Sequence, residues 1–310
     1  MQGHGIHHIT AIAGSPQRNV MFYTRTLGLR LVKKTVNFDD PGTYHFYFGD
    51  AAGAPGTLIT FFPWSGMAAG RLGIGEVAEV LFRVPEESFG YWTHRFIENS
   101  VPHENPETAF GEKRLPFRDP DGMRLALVGL KRPGAEHAWT GGPVDGDHAI
   151  RGLYGASLLV DAAEPTASIL TGVLGFAETG RDGTRRRLDS GSGQSGAIIE
   201  VREAGGFLPA RMGAGSIHHI AFRAADDAAQ AQLAQTLRSE YRMRTTEQKD
   251  RQYFRSVYFR EPGGVLFEIA TDGPGFAIDE APDRLGQELK LPPFLEGHRR
   301  DIEARLPEVA

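Results

Sequence analysis

Two histidine pairs and one glutamate carry the chemistry that can be read first. The pairs are His7-His8 and His218-His219, near opposite ends of a 310-residue chain. The glutamate is Glu268, set in the apolar run Val265-Leu-Phe-Glu-Ile269. A histidine on a strand is most often a satisfied structural residue. Recurrence of the pair, and a carboxylate in an apolar strand that is costly to bury without a charge partner, point instead to a divalent metal. Two imidazoles and one carboxylate on one face leave positions open for other ligands, the arrangement of non-haem Fe(II) oxygenases; Mn(II) accepts the same set.

These residues recur because the chain repeats. Gly75–Val84 reads like Gly215–Ala224, and Asp119–Val128 like Glu261–Ala270, with an offset that barely changes between the two. Phe22–Arg30 likewise matches Ile169–Ala177, each ending a helical pattern with Leu-Gly. Glycine after the last helical turn is a common left-handed stop. The expectation is an α+β fold of four βαβββ modules, at about 5–63, 75–130, 150–203 and 215–271, in two pseudo-symmetric halves. Turns are expected at Asp39–Gly42, Asp119–Gly122 and Glu261–Gly264. The Gly- and Pro-containing stretch Lys131–Asp147 reads as a linker. The divisions are 1–145 for the N-terminal half, 146–275 for the C-terminal half, and 276–310 for a tail with a short helix. Such modules cannot bury their sheets alone; paired, they curl mixed sheets around cavities.

Alignment of the modules places His8, Glu79, Gly155 and His219 on the opening strands. It places Thr60, Ala126, Glu200 and Glu268 on the closing strands. Joining modules 1 and 4 unites His8, His219 and Glu268, with Thr60 at the fourth place. That favours 1 with 4, and hence 2 with 3. Successive strand residues face opposite ways, so one histidine of each pair can enter the cavity; His8 and His219 are preferred, with His7 and His218 the fallback. Glu79 and Glu200 read as exposed or relic carboxylates without a metal role.

The rest of the composition narrows the class. There are no cysteines, which excludes disulfides, thiolate zinc, iron–sulfur clusters and cysteine nucleophiles. The balance of 34 basic against 39 acidic residues leaves a net charge of −5, with no electrostatic reason to expect nucleic acid or an anionic membrane. No signal peptide is expected, and no apolar run nears the roughly 18 residues of a membrane helix. The expected localisation is cytoplasmic.

Several motifs together resemble the vicinal oxygen chelate superfamily, which spans glyoxalases, bleomycin resistance proteins and dioxygenases. They are Gly5-Ile-His-His-Ile-Thr10, Leu27-Gly-Leu-Arg-Leu-Val-Lys-Lys-Thr-Val-Asn37, Gly56-Thr-Leu-Ile-Thr-Phe-Phe-Pro-Trp64, Ser216-Ile-His-His-Ile-Ala-Phe222 and Leu266-Phe-Glu-Ile-Ala-Thr-Asp272. Within it the chain is most similar to ring-cleaving para-hydroquinone 1,2-dioxygenases, over nearly its whole length, including Leu291-Pro-Pro-Phe-Leu-Glu296 of the tail. The resemblance implies Fe(II) on His8, His219 and Glu268, and site roles for His7, Thr10, His218, Arg251 and Tyr258. It implies a small aromatic substrate and O2 as partners, with homo-oligomerisation left open. Tyr258 or His218 would donate a proton and Arg251 would stabilise negative charge; Phe46, Phe61, Phe222 and Phe267 are candidates for an apolar lining. The rivals are a glyoxalase-type metal-dependent isomerase or lyase, a metal-free drug-binding protein, and a catechol-cleaving enzyme.

Overall fold

Alternating apolar strands need a second layer, and the repeat supplies it. The computed structural model describes residues 5–132 and 138–309. The first four residues, and the middle of the expected linker at 133–137, lie outside the described residues. Module 1 runs β1 (Ile6–Ala13), α1 (Pro16–Met21, continued by a π-helical turn to Thr26), β2 (Arg30–Asn37), β3 (Asp40–Gly49) and β4 (Leu58–Pro63). Module 2 runs β5 (Glu76–Pro85), α2 (Phe89–Glu98), β6 (Glu107–Ala109), β7 (Glu112–Arg118) and β8 (Arg124–Leu130). Module 3 runs β9 (Leu153–Val160), α3 (Ala163–Gly172), β10 (Ala177–Asp182), β11 (Arg185–Asp189) and β12 (Ile198–Glu203). Module 4 runs β13 (Ile217–Ala224), α4 (Asp227–Ser239), β14 (Lys249–Asp250), β15 (Arg255–Arg260) and β16 (Leu266–Thr271), and a short α5 (Arg299–Glu303) follows in the tail.

The modules form two curled mixed sheets of eight strands each. One reads β14-β15-β16-β13-β1-β4-β3-β2, joining module 4 to module 1; the other reads β10-β11-β12-β9-β5-β8-β7-β6, joining module 3 to module 2. Each join is antiparallel, β1 on β13 and β5 on β9, while each module closes on its opening strand in parallel. The pairing of 1 with 4 therefore holds. The Leu-Gly stops also hold: Gly28 and Gly175 have φ of 72° and 74°, where a side chain would be strained.

One expected turn moves. The β2–β3 reversal is at Phe38–Asp39, and Asp40-Pro-Gly42 already belongs to β3. The Asn37 carboxamide oxygen accepts from the Asp39 backbone N–H at 3.0 Å, which tightens the hairpin one step early. Pro41 is tolerated because β3 pairs with β4 only from Phe46 onward.

The two faces of each strand divide the labour. In the first sheet, Ile9, Ala11, Phe46, Phe48, Ile59, Phe61, Ile220, Phe222, Phe267 and Ile269 all point into the main core. Their neighbours in sequence point into the curl of the sheet. Among the described residues no helix is long and apolar enough to cross a membrane.

Candidate metal centre

His8, His219 and Glu268 converge. His8 stands on β1, His219 on the neighbouring β13, and Glu268 on β16 beside β13, so three strands in a row deliver them to one point. Their potential ligand atoms all lie within 4.8 Å of one another. His8 Nε2 is 3.3 Å from His219 Nε2, and Glu268 Oε2 is 3.5 Å and 2.9 Å from these two nitrogens. All three residues are buried, Glu268 completely. Burial works to raise the Glu268 pKa, but His8 and His219 outweigh it and hold the carboxyl well below its ordinary range.

The donor set fits a metal ion. Glu268 Oε2 is buried yet makes no hydrogen bond of sound geometry, and a buried carboxylate oxygen left so is costly. Its other oxygen accepts from Ser256 Oγ at 2.5 Å, which orients the group. Behind the ligands, His8 Nδ1 is 2.9 Å from His7 Nδ1, and His219 Nδ1 is 2.7 Å from His218 Nδ1. With a metal on both Nε2 atoms, each of these two rings would carry its proton on Nδ1 and donate it to the neighbouring histidine. His7 and His218 thus stand behind the ligands. Burial above all lowers the pKa of both, that of His218 to about 3, so both are neutral acceptors.

A cavity of about 320 Å³ opens over this centre, lined among others by His45, Tyr47, Phe62, Arg251, Phe254 and Tyr258. Tyr258 packs edge-on against the His219 ring at 5.7 Å between centroids. Arg251 Nε points at the Tyr258 hydroxyl from 3.4 Å, and its Nη2 donates to Asp39 at 2.9 Å, tying module 4 to the β2–β3 turn of module 1. A tight turn in which Gln252 takes a φ of 68° presents Arg251 to the cavity. Burial above all pushes the Tyr258 phenol well up, while Arg251 pulls weakly the other way. Thr10 is buried behind the cavity, its Oγ1 2.7 Å from Thr60 Oγ1.

Three expectations need correction. Phe46, Phe61, Phe222 and Phe267 do not line the cavity; the two-residue period that turns Thr60 and Glu268 inward turns these rings into the core. Phe62 and Phe254 line it instead, and Phe254 packs against the His7 and His8 rings at 5.0 Å from each. Glu200 is not exposed: it is fully buried, held by Arg114 at 3.1 and 2.5 Å and by Arg187 at 3.1 Å. The second sheet thus sets an arginine against its buried carboxylate. Glu79 is half-buried in the same region. The alignment of ligand positions passed over His45, Tyr47 and Ser256; the alternation in Tyr44-His-Phe-Tyr-Phe48 already places the first two on one face.

Fold and site together define a class: a protein of paired βαβββ modules whose terminal modules hold a two-histidine, one-carboxylate centre under a small half-apolar cavity. A family model described as "Glyoxalase/Bleomycin resistance protein/Dioxygenase superfamily" matches residues 5–127. The chain is 45% identical to MhqO of Bacillus subtilis (strain 168), provisionally named a ring-cleaving dioxygenase, over 97% of this chain and 95% of that one. It is 34% identical to the chlorohydroquinone/hydroquinone 1,2-dioxygenase of Sphingobium indicum over 96% of this chain and 94% of that one. A crystal structure of a Bacillus subtilis protein, also provisionally named a dioxygenase, superposes with a TM-score of 0.95 at 44% identity, covering 100% of this chain and 98% of that one. The chain belongs to this superfamily, on the side of its ring-cleaving dioxygenases.

Proposed function

We propose that the protein opens the ring of hydroquinone or a substituted hydroquinone with O2, in an extradiol-type cleavage next to a hydroxylated carbon. Fe(II), with Mn(II) as the alternative, would be held by His8, His219 and Glu268. The observation that carries this reading is the buried, unpartnered Glu268 Oε2 facing two Nε2 atoms beneath an aromatic-sized cavity. The hydroquinone assignment draws on the name of the Sphingobium relative. When bound, the metal supplies Lewis acidity that favours an ionised phenol, and open positions for the substrate and O2.

The chain's own residues divide the remaining work. His7 and His218 hold the two ligand rings in the tautomer that leaves Nε2 free. Tyr258 keeps its proton at neutral pH, because burial raises it, and delivers that proton to the departing oxygen when the O–O bond breaks. Arg251 offers N–H donors to the negative charge that develops beside Tyr258. Thr10 fixes the back of the site through Thr60. Phe62 and Phe254 pack the ring and keep water out. The ring C–C bond breaks, both oxygen atoms enter the product, and a semialdehyde-type or maleylacetate-type acid leaves.

Thr60 supports ring cleavage over a glyoxalase-type isomerase, since it stands where a second carboxylate ligand would be. The test is anaerobic loading with Fe(II), then O2 uptake with hydroquinone, its chlorinated and methylated forms, and catechol in parallel. Stoichiometric O2 uptake with a hydroquinone is the expected result. Preference for catechol overturns the substrate assignment. No uptake, with anaerobic turnover of a glutathione hemithioacetal, overturns the reaction class.

A further inference from the structure

The metal centre lies near an approximate two-fold axis, and the axis pairs two tyrosines with opposite backing. Tyr258 sits across the strands from Glu268, and Tyr47 sits across from Thr60, its counterpart in module 1. Two residues earlier, Ser256 donates to Glu268, while His45 Nε2 lies 2.9 Å from Thr60 Oγ1. Both tyrosines line the same cavity. Behind Tyr258 stands Arg251, which can only donate. Behind Tyr47 stands His45, whose Nδ1 is 2.9 Å from the hydroxyl and which can accept a proton. The His45 chain continues through Thr60 Oγ1 to Thr10 Oγ1 at 2.7 Å, and both threonines are fully buried.

The two sides of the cavity are therefore chemically unequal. On the Tyr258 side a proton can be supplied; on the Tyr47 side one can be withdrawn. An aromatic hydroxyl titrates near pH 10 in water and must lose its proton to become a ligand. The His45 tautomer that accepts from the Tyr47 hydroxyl on Nδ1 carries its own proton on Nε2, toward Thr60.

We propose that Tyr47 and His45 form the relay that ionises the incoming aromatic hydroxyl. The substrate O–H bond breaks and its proton joins the Tyr47 oxygen, as the Tyr47 hydroxyl proton passes to His45 Nδ1. A phenolate and an imidazolium result, with no electron transferred. The imidazolium Nε2–H donates to Thr60, whose hydroxyl donates on to Thr10. Tyr47 touches the substrate, and His45 acts through it as a positioning residue and proton store. The relay rests on the hydroquinone reading above and names the groups that prepare that substrate.

The test uses Fe(II)-loaded enzyme mixed with hydroquinone in the absence of O2, following phenolate absorbance in a stopped-flow instrument alongside metal content. The parent forms bound phenolate. Tyr47→Phe and His45→Asn keep their iron and their circular dichroism, but form phenolate about 10²-fold more slowly. Hydroquinone affinity changes much less, a split that mere loosening of the site would not give. Phenolate formation at the parental rate in an iron-loaded Tyr47→Phe variant overturns the relay and leaves the ring-cleavage reading standing. A parent that binds hydroquinone without ionising it, or does not bind it, overturns both.

Discussion

At the scale of single residues, the centre turns on one buried carboxylate oxygen, Glu268 Oε2, that no hydrogen bond satisfies. Glu268 is fully buried, one oxygen on Ser256 and the other facing the two histidines. Glu268→Gln removes the anionic ligand and sets an amide among donors. It is expected to lose iron and ring cleavage together, read by metal analysis and O2 uptake on the same preparation; full activity with iron still bound would remove Glu268 from the ligand set. Tyr258 separates chemistry from metal binding, because its ring touches His219 while its hydroxyl meets Arg251. Tyr258→Phe should retain iron and fall in kcat by roughly 10²-fold or more. Unchanged turnover would remove it from the acid role and leave His218 as the other candidate. His218 is the weaker one on geometry, since its Nδ1 is engaged with His219 at 2.7 Å.

At the scale of the element, each strand of the first sheet separates site from core with a period of two. On β16, Glu268 faces the curl while Phe267 and Ile269 face the core. The prediction is a double dissociation. Phe267→Ala should cost about 3–5 kcal/mol of stability in urea unfolding while the remaining folded protein binds metal normally. Phe254→Ala, which strips the packing from the His7 and His8 rings, should lower metal affinity about 10-fold or more. Equal effects of both variants on metal affinity would mean that the two faces are not independent. This period also marks what was legible beforehand. Module borders, the Leu-Gly stops and the ligand positions were readable because each repeats in the chain. The lining aromatics were misplaced because several phenylalanines lie next to inward residues, and a one-residue error inverts the face. The buried Glu200–Arg114 and Glu200–Arg187 pairs were invisible for another reason. Arg114 lies on β7 of module 2 and Glu200 on β12 of module 3, four strands apart in their sheet, and its curl brings them together.

At the scale of the whole molecule, the two sheets must be held in register, because the terminal modules make one and the middle modules the other. One join is Glu76, at the start of β5 in the second sheet, whose Oε1 accepts from the Ile217 N–H at the start of β13 in the first, at 3.3 Å. Its other oxygen is buried without a partner. Burial pushes its carboxyl up from 4.5 to about 7, against the opposing pull of the Ile217 N–H first, then the Ser216 hydroxyl and the Gly73 N–H. The sign follows from proton binding. Between pH 4.5 and 7 the folded state holds a proton on Glu76 that the unfolded state has released, so raising the pH over that window favours unfolding. The contribution of this carboxyl is complete below pH 4.5 and is lost as the pH rises through 7. Glu76→Gln keeps an oxygen for the Ile217 N–H and cannot ionise. It should match the parent near pH 5 and exceed it by up to about 3 kcal/mol at pH 8, measured as urea unfolding free energy at the two pH values. The gain should also appear with the metal site emptied by chelator, because Glu76 acts at the join between sheets and not at the centre. A difference between variant and parent that is the same at pH 5 and pH 8 would show that Glu76 is already ionised in the folded protein, with a solvent path to its second oxygen.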